Sequence, residues 1–273
     1  VSGGSWTTLV VTVLIVIVLL VTAVLVSRHT GGDGTGTSAP ALVVGDSVVA
    51  LAARAAGGAE GGGVAGGGAA GAPAGISVTD GVRARSSGMA GTVRLIGYPG
   101  LSPEVFDGTS SPLLASDLRS AGRPRTVVLN WNGNNPRQLL GTSLIVDYRT
   151  ELTSQIRWYL GHGVTRVVLA AALPSLVNSA DRQVDVSSPL SAQPGAMLGS
   201  GRLNEMYRQL AGAFGGRSVR YSEQAARAIH PSLGFNTTLD GRPCVIDFIH
   251  PTPYCATRYA RALAALAHDP DGT

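Results

Sequence analysis

Short apolar runs, each ending in polar or glycine residues and separated by helical patterns, restrict this chain to few folds. Residues 41–46 (ALVVGD), 126–131 (TVVLNW), 164–172 (VTRVVLAAA) and 218–221 (SVRY) have the length and β-branched content of strands. A further extended segment starts at Ile76 and reaches the region of residues 83–87. Between the runs, residues 47–56, 144–160, 202–214 and 253–267 read as helices. The clearest has Leu144, Tyr148, Leu152, Ile156 and Leu160 four apart on one face. Unbroken apolar runs alternating with helices are the pattern of a parallel sheet covered on both faces. The expectation is a three-layer α/β/α domain over residues 41–268. Function in such sheets lies beyond the carboxyl ends of the strands.

The N-terminal residues are of a different kind. Residues 8–26 (TLVVTVLIVIVLLVTAVLV) carry no charge, and as a helix they extend about 28 Å, the depth of a bilayer's hydrocarbon core. Trp6 stands at the interfacial position, and residues 25–29 offer no small-x-small cleavage site. Residues 1–27 therefore read as an uncleaved membrane anchor, and 28–40, rich in Gly, Thr and Ser, as a tether. The chain begins at Val1, which either an alternative start codon or a truncation accounts for. Arg28 and His29 after the span favour a cytoplasmic domain by the positive-inside count, whereas the lone pair Cys244 and Cys255 suits a disulfide in an oxidising compartment. The reading adopted is an extracytoplasmic domain with that disulfide. Residues 57–75, almost wholly Gly and Ala, have no periodicity and read as an insertion, and 269–273 as a tail.

Composition narrows the partners. All 21 basic residues are arginines scattered singly, so the formal charge of +4 does not indicate a nucleic-acid partner. His29, His162, His230 and His268 lack metal-ligand spacing, and no catalytic metal or cofactor is expected. The glycine-rich stretch has no following Lys-Ser/Thr and is no phosphate loop.

The strand ends carry the chemistry. They read Gly45-Asp46-Ser47, Ser86-Ser87-Gly88-Met89-Ala90-Gly91 and Asn132-Gly133-Asn134-Asn135-Pro136, and Asp247-Phe248-Ile249-His250-Pro251-Thr252 precedes the last helix. A serine hydroxyl becomes a nucleophile only beside a base, and a histidine base needs an acceptor on its other ring nitrogen. Asp247, three residues before His250, is within reach of it in a tight turn. An oxyanion needs fixed donors, for which the N–H groups of Ser47 and Gly91 and the amide of Asn135 are candidates. Alone, Ser47 also reads as a cap of the following helix, a role compatible with the reactive one. Trp131 reads either as a stacking surface for a sugar or as core packing.

These four blocks, in this order, resemble the signature blocks of the SGNH (GDSL-type) serine hydrolases over residues 41–268. The resemblance implies a flavodoxin-like parallel sheet, with Ser47 as nucleophile, His250 as base, Asp247 orienting it, and Ser47, Gly91 and Asn135 lining the oxyanion hole. It departs from the family pattern at Val48, at Ser86, which leaves Gly88 and Gly91 as alternatives, and at Pro136, where aspartate is usual. The expected activity is hydrolysis of an ester-linked acyl group on an envelope glycan, a lipid or a small molecule. The alternatives are an O-acyltransferase acting on envelope polysaccharide and a non-catalytic glycan-binding domain of the same fold. Residues 173–200, rich in Ser, Pro and Gly, are expected to cover the site. Oligomeric state is left open.

Overall fold

Five parallel strands and one antiparallel strand make the central sheet of the computed structural model, which describes residues 40–57, 85–103, 111–133, 142–178, 196–198 and 200–269. All of these belong to one compact unit, Ala39–Thr273. The strands are β1 (Ala41–Gly45), β2 (Ser86–Ala90), β3 (Val93–Gly97), β4 (Thr126–Asn130), β5 (Arg166–Ala170), β6 (Leu176–Asn178), β7 (Ala196–Leu198), β8 (Val219–Ser222), β9 (Thr238–Leu239) and β10 (Arg242–Pro243). The main sheet runs β2-β3-β1-β4-β5-β8, and β6–β7 and β9–β10 form two small antiparallel pairs. Numbered by themselves along the chain, the parallel strands lie in the order 2-1-3-4-5, which is the flavodoxin-like order.

The helices are α1 (Ser47–Gly57), α2 (Ser111–Ser120), α3 (Thr142–Gly161), α4 (Ser200–Ala213), α5 (Gln224–Arg227) and α6 (Pro253–His268). Each strand sends alternate side chains to opposite faces. On one face Leu42, Val44, Val127, Leu129, Val167 and Leu169 pack with residues of α2, α3 and α4. On the other, Ala41, Val43, Val128 and Val168 pack with α1, α5 and α6. Two buried hydrophobic layers follow, and the main sheet separates them.

One expectation needs correction. Residues 86–91 do not close a parallel strand; Ser86–Ala90 is itself the antiparallel edge strand β2, paired with β3 from Ser86↔Gly97 to Ala90↔Val93. Two residues, Gly91 and Thr92, connect β2 to β3, and so short a link permits only a hairpin. Gly91 has φ +64°, which glycine adopts without steric cost. The expected membrane span at 8–26, the tether, nearly all of the 57–75 insertion and the strand start at residues 76–84 lie outside the described residues. Among the described residues no helix is long and apolar enough to cross a membrane.

Candidate active site

β1 ends at Gly45, and α1 begins two residues later at Ser47. Asp46 lies between them, 1% exposed, and its Oδ1 accepts the Val48 N–H at 3.0 Å, while the Ala50 N–H donates to the Asp46 carbonyl at 3.0 Å. Asp46 is therefore the helix cap, in place of Ser47. The Ser47 side chain, relieved of capping, lies 2.8 Å from His250, Oγ to Nε2. The Ser47 N–H occupies the first helical position, where no carbonyl of the helix itself can accept it.

The loop before α6 supplies the partners. Asp247 divides its two oxygens between two tasks. Oδ1 accepts the backbone N–H groups of Ile249 and His250, both at 2.9 Å, and Oδ2 lies 2.8 Å from His250 Nδ1. The spacing of three is thus the span of a turn built around one carboxylate oxygen. Because Asp247 can only accept when ionised, the neutral ring carries its proton on Nδ1, and Nε2 is left to accept from the Ser47 hydroxyl. Burial pushes the Asp247 carboxyl up, but the hydrogen bond and charge of His250 and the two N–H groups outweigh it and hold it below the ordinary carboxylate value. Burial likewise disfavours the His250 cation. The hydrogen bond and charge of Asp247, with the charge of Asp46 added, nevertheless carry its pKa above the ordinary 6.5.

Further contacts fix the loop. The Ile246 N–H donates to the His250 carbonyl at 2.8 Å and the Thr252 N–H to the Cys244 carbonyl at 2.9 Å. Thr252 caps α6, with its side chain accepting from the Cys255 N–H and Pro253 in the first turn. Cys244 and Cys255 are joined in a disulfide that closes the loop carrying Asp247 and His250.

Gly91 is not at this site. β3 runs parallel to β1 with Ala41 opposite Val93 and Gly45 opposite Gly97, so Gly91 sits at the amino edge, about 13 Å along the strand from the end beside Ser47. The Thr92 Oγ1 there meets Nε2 of His268, the last residue of α6, at 3.1 Å. Gly88 is a packing residue: a Cβ on it lies 2.0 Å from the Ala53 carbonyl oxygen of α1. Asn135 lies outside the described residues. Trp131 is core, 1% exposed, with its indole N–H donating to Gln155 Oε1 at 3.0 Å. His230 is buried, its Nδ1 accepts the Asn236 N–H at 3.3 Å, and burial lowers its pKa to about 4. Among the described residues no group of three or more His, Cys, Asp or Glu is placed to hold a metal ion.

Two features of the site were not anticipated from sequence. At the carboxyl edge of β3, Gly97 admits no side chain, since a Cβ there comes within 2.0 Å of the Ala50 N of α1, and Gly100 follows with φ +76°. Asn132, just past β4, donates its N–H and its amide to Asp46, at 2.6 and 3.2 Å. For Gly97 the signal was a run VRLIG ending in glycine; for Asn132 the sequence shows a polar residue ending an apolar strand and nothing of what it faces.

No protein-family model matches the chain, and no curated protein matches it. Among solved structures, it is similar to a Streptococcus pneumonia protein provisionally described as a platelet activating factor, at 14% identity over 92% of this chain and 98% of that one, with a TM-score of 0.45. It is also similar to a catalytic mutant of an acetylxylan esterase from Geobacillus stearothermophilus, at 16% identity over 85% of this chain and 94% of that one, with a TM-score of 0.43.

Proposed function

We propose that this chain is a serine esterase that releases an acyl group through an acyl-Ser47 intermediate. The observation that carries the reading is the unbroken series from Ser47 Oγ to His250 Nε2, 2.8 Å, and from His250 Nδ1 to Asp247 Oδ2, 2.8 Å, at the carboxyl edge of the sheet. As Ser47 Oγ bonds to the ester carbon, His250 Nε2 takes the hydroxyl proton and passes it to the departing alkoxide. Water then gives a proton to Nε2 and attacks the acyl carbon, and the acid leaves as Ser47 Oγ recovers its proton. Asp247 stays ionised throughout, holding the ring orientation and stabilising the imidazolium.

The oxyanion donors in this reading are the Ser47 N–H, the Gly100 N–H and the Asn135 amide. Gly100 replaces Gly91 because register puts the end of β3 beside the end of β1, and its left-handed backbone belongs to the turn that closes with the Leu101 N–H on the Tyr98 carbonyl at 3.1 Å. The proposal also keeps residues 8–26 as a membrane anchor and sets the domain outside the cytoplasm, in line with the buried disulfide. Acylated envelope glycans or lipids are the substrates that such a location brings within reach.

The test is turnover of short and long nitrophenyl esters by the full chain and by Ser47→Ala, with and without a sugar acceptor. Release that falls to background in Ser47→Ala supports the esterase. Acyl sugar as the main product assigns a transferase, and equal release by both proteins removes Ser47 from the chemistry.

A further inference from the structure

Ser47 and His250 are 203 residues apart in the chain, so no local geometry sets the 2.8 Å between them. We infer that Asn132 is a positioning residue for the reaction proposed above, on which this inference rests: it locks the ends of β1, β4 and β5 together, so that Ser47 is held in register with His250. Asn132 is 1% exposed and uses both amide protons and its carbonyl. Nδ2 donates to Asp46 Oδ1 and to Asn130 Oδ1, each at 3.2 Å, and Oδ1 accepts the Leu173 N–H at 2.7 Å. Its backbone N–H donates to Asp46 Oδ2 at 2.6 Å.

From Asn132 the directional bonds lead both ways. Toward the nucleophile, Asp46 holds the Val48 N–H, so the residues on either side of Ser47 are tied to Asn132. Toward the base there are two routes. Asn130 Oδ1 accepts the Tyr259 hydroxyl of α6 at 2.9 Å, and α6 starts three residues after His250. Leu173 leads to Leu176, whose N–H donates to the Phe248 carbonyl at 3.0 Å inside the Asp247–His250 loop. A buried polar network in which every member is bonded specifies a geometry more than it adds stability. Asn204 offers the contrast. It is a buried amide of similar kind that bridges the Ala172 N–H and carbonyl, at 2.8 and 3.2 Å, and among the described residues its side chain bonds neither Ser47, Asp247 nor His250.

The experiment compares the full-length wild type with Asn132→Ala and Asn204→Ala. Competent Ser47 is counted by stoichiometric fluorophosphonate labelling, nitrophenyl ester turnover is expressed per labelled site, and Tm is measured alongside. Expected for Asn132→Ala is a per-site kcat lower by roughly 10- to 100-fold with KM little changed, the scale of a small misplacement of reacting groups. Asn204→Ala is expected to lower Tm with per-site kcat unchanged. A per-site kcat for Asn132→Ala equal to wild type overturns the inference, and so does an equal loss in both variants. If Asn132→Ala does not fold, Asn132→Asp takes its place under the same criteria: it keeps the acceptor for Leu173 and reverses the donors facing Asp46 and Asn130. A wild type that neither labels nor turns over ester overturns the esterase reading itself, an outcome distinct from a labelled wild type with an unaffected variant.

Discussion

In the proposed reaction the Ser47 hydroxyl is available as nucleophile because a neighbour performs the capping task that serine often performs at helix starts. Asp46 caps α1, and Asp247 spends one oxygen on its own loop and the other on the His250 ring. That division sets a pH dependence. His250 acts as base only when neutral, and its pKa stands above the ordinary 6.5 because Asp247 and Asp46 favour the cation more than burial opposes it. Asp247 lies below the ordinary carboxylate value, so it is already ionised across this range. For nitrophenyl ester hydrolysis, kcat/KM is expected to rise with pH through a single inflection above 6.5; an inflection below that value contradicts the assignment. Ser47, Asp247 and His250, which the structure brings together, were legible in the sequence as parts of two short runs, Gly-Asp-Ser and Asp-x-x-His, that resemble family blocks. Asn132 was not, because an asparagine ending a strand has the same appearance whether it faces water or a buried carboxylate.

At the scale of elements, the hairpin β2–β3 separates two kinds of glycine. Gly97 and Gly88 lie where α1 presses on the sheet, and Gly91 only turns the chain. Gly97→Ala is expected to cost about 1–3 kcal/mol of unfolding free energy or more, read from urea denaturation, because backbone atoms of α1 stand where the new methyl must go. Gly91→Ala is expected to cost about 1–2 kcal/mol, since alanine disfavours a left-handed backbone, and to leave per-site kcat unchanged. A loss of per-site kcat in Gly91→Ala returns that residue to the oxyanion hole. Sequence reading missed this hairpin because Arg94 interrupts the apolar run of β3 and because β2, SSGMA, is five residues of mostly small side chains with no alternating apolar pattern. The disulfide acts at the same scale. Replacing both Cys244 and Cys255 with serine is expected to lower unfolding free energy by about 2–3 kcal/mol, from the short loop it closes. An unchanged urea midpoint indicates that hydrogen bonds alone hold the Asp247–His250 loop.

Across the molecule, strand order explains why distant parts of the sequence converge. In the order 2-1-3-4-5 the first strand lies between the second and the third, so Ser47 at its end faces the ends of β3 and β4, and the loop before α6 brings His250 to the same edge. This architecture could be read from the alternation of apolar runs and helices, since burial on both faces leaves a strong trace in composition. The antiparallel partner and the assignment of glycines to turning or packing depend on register, which no single run encodes. The central claim is that Ser47 is a nucleophile activated by His250. Intact-mass analysis of the full chain after exposure to a fluorophosphonate tests it most directly. The account predicts one adduct, mapped to Ser47 and lost in Ser47→Ala; no adduct on the wild type, or an equal adduct on Ser47→Ala, would contradict it.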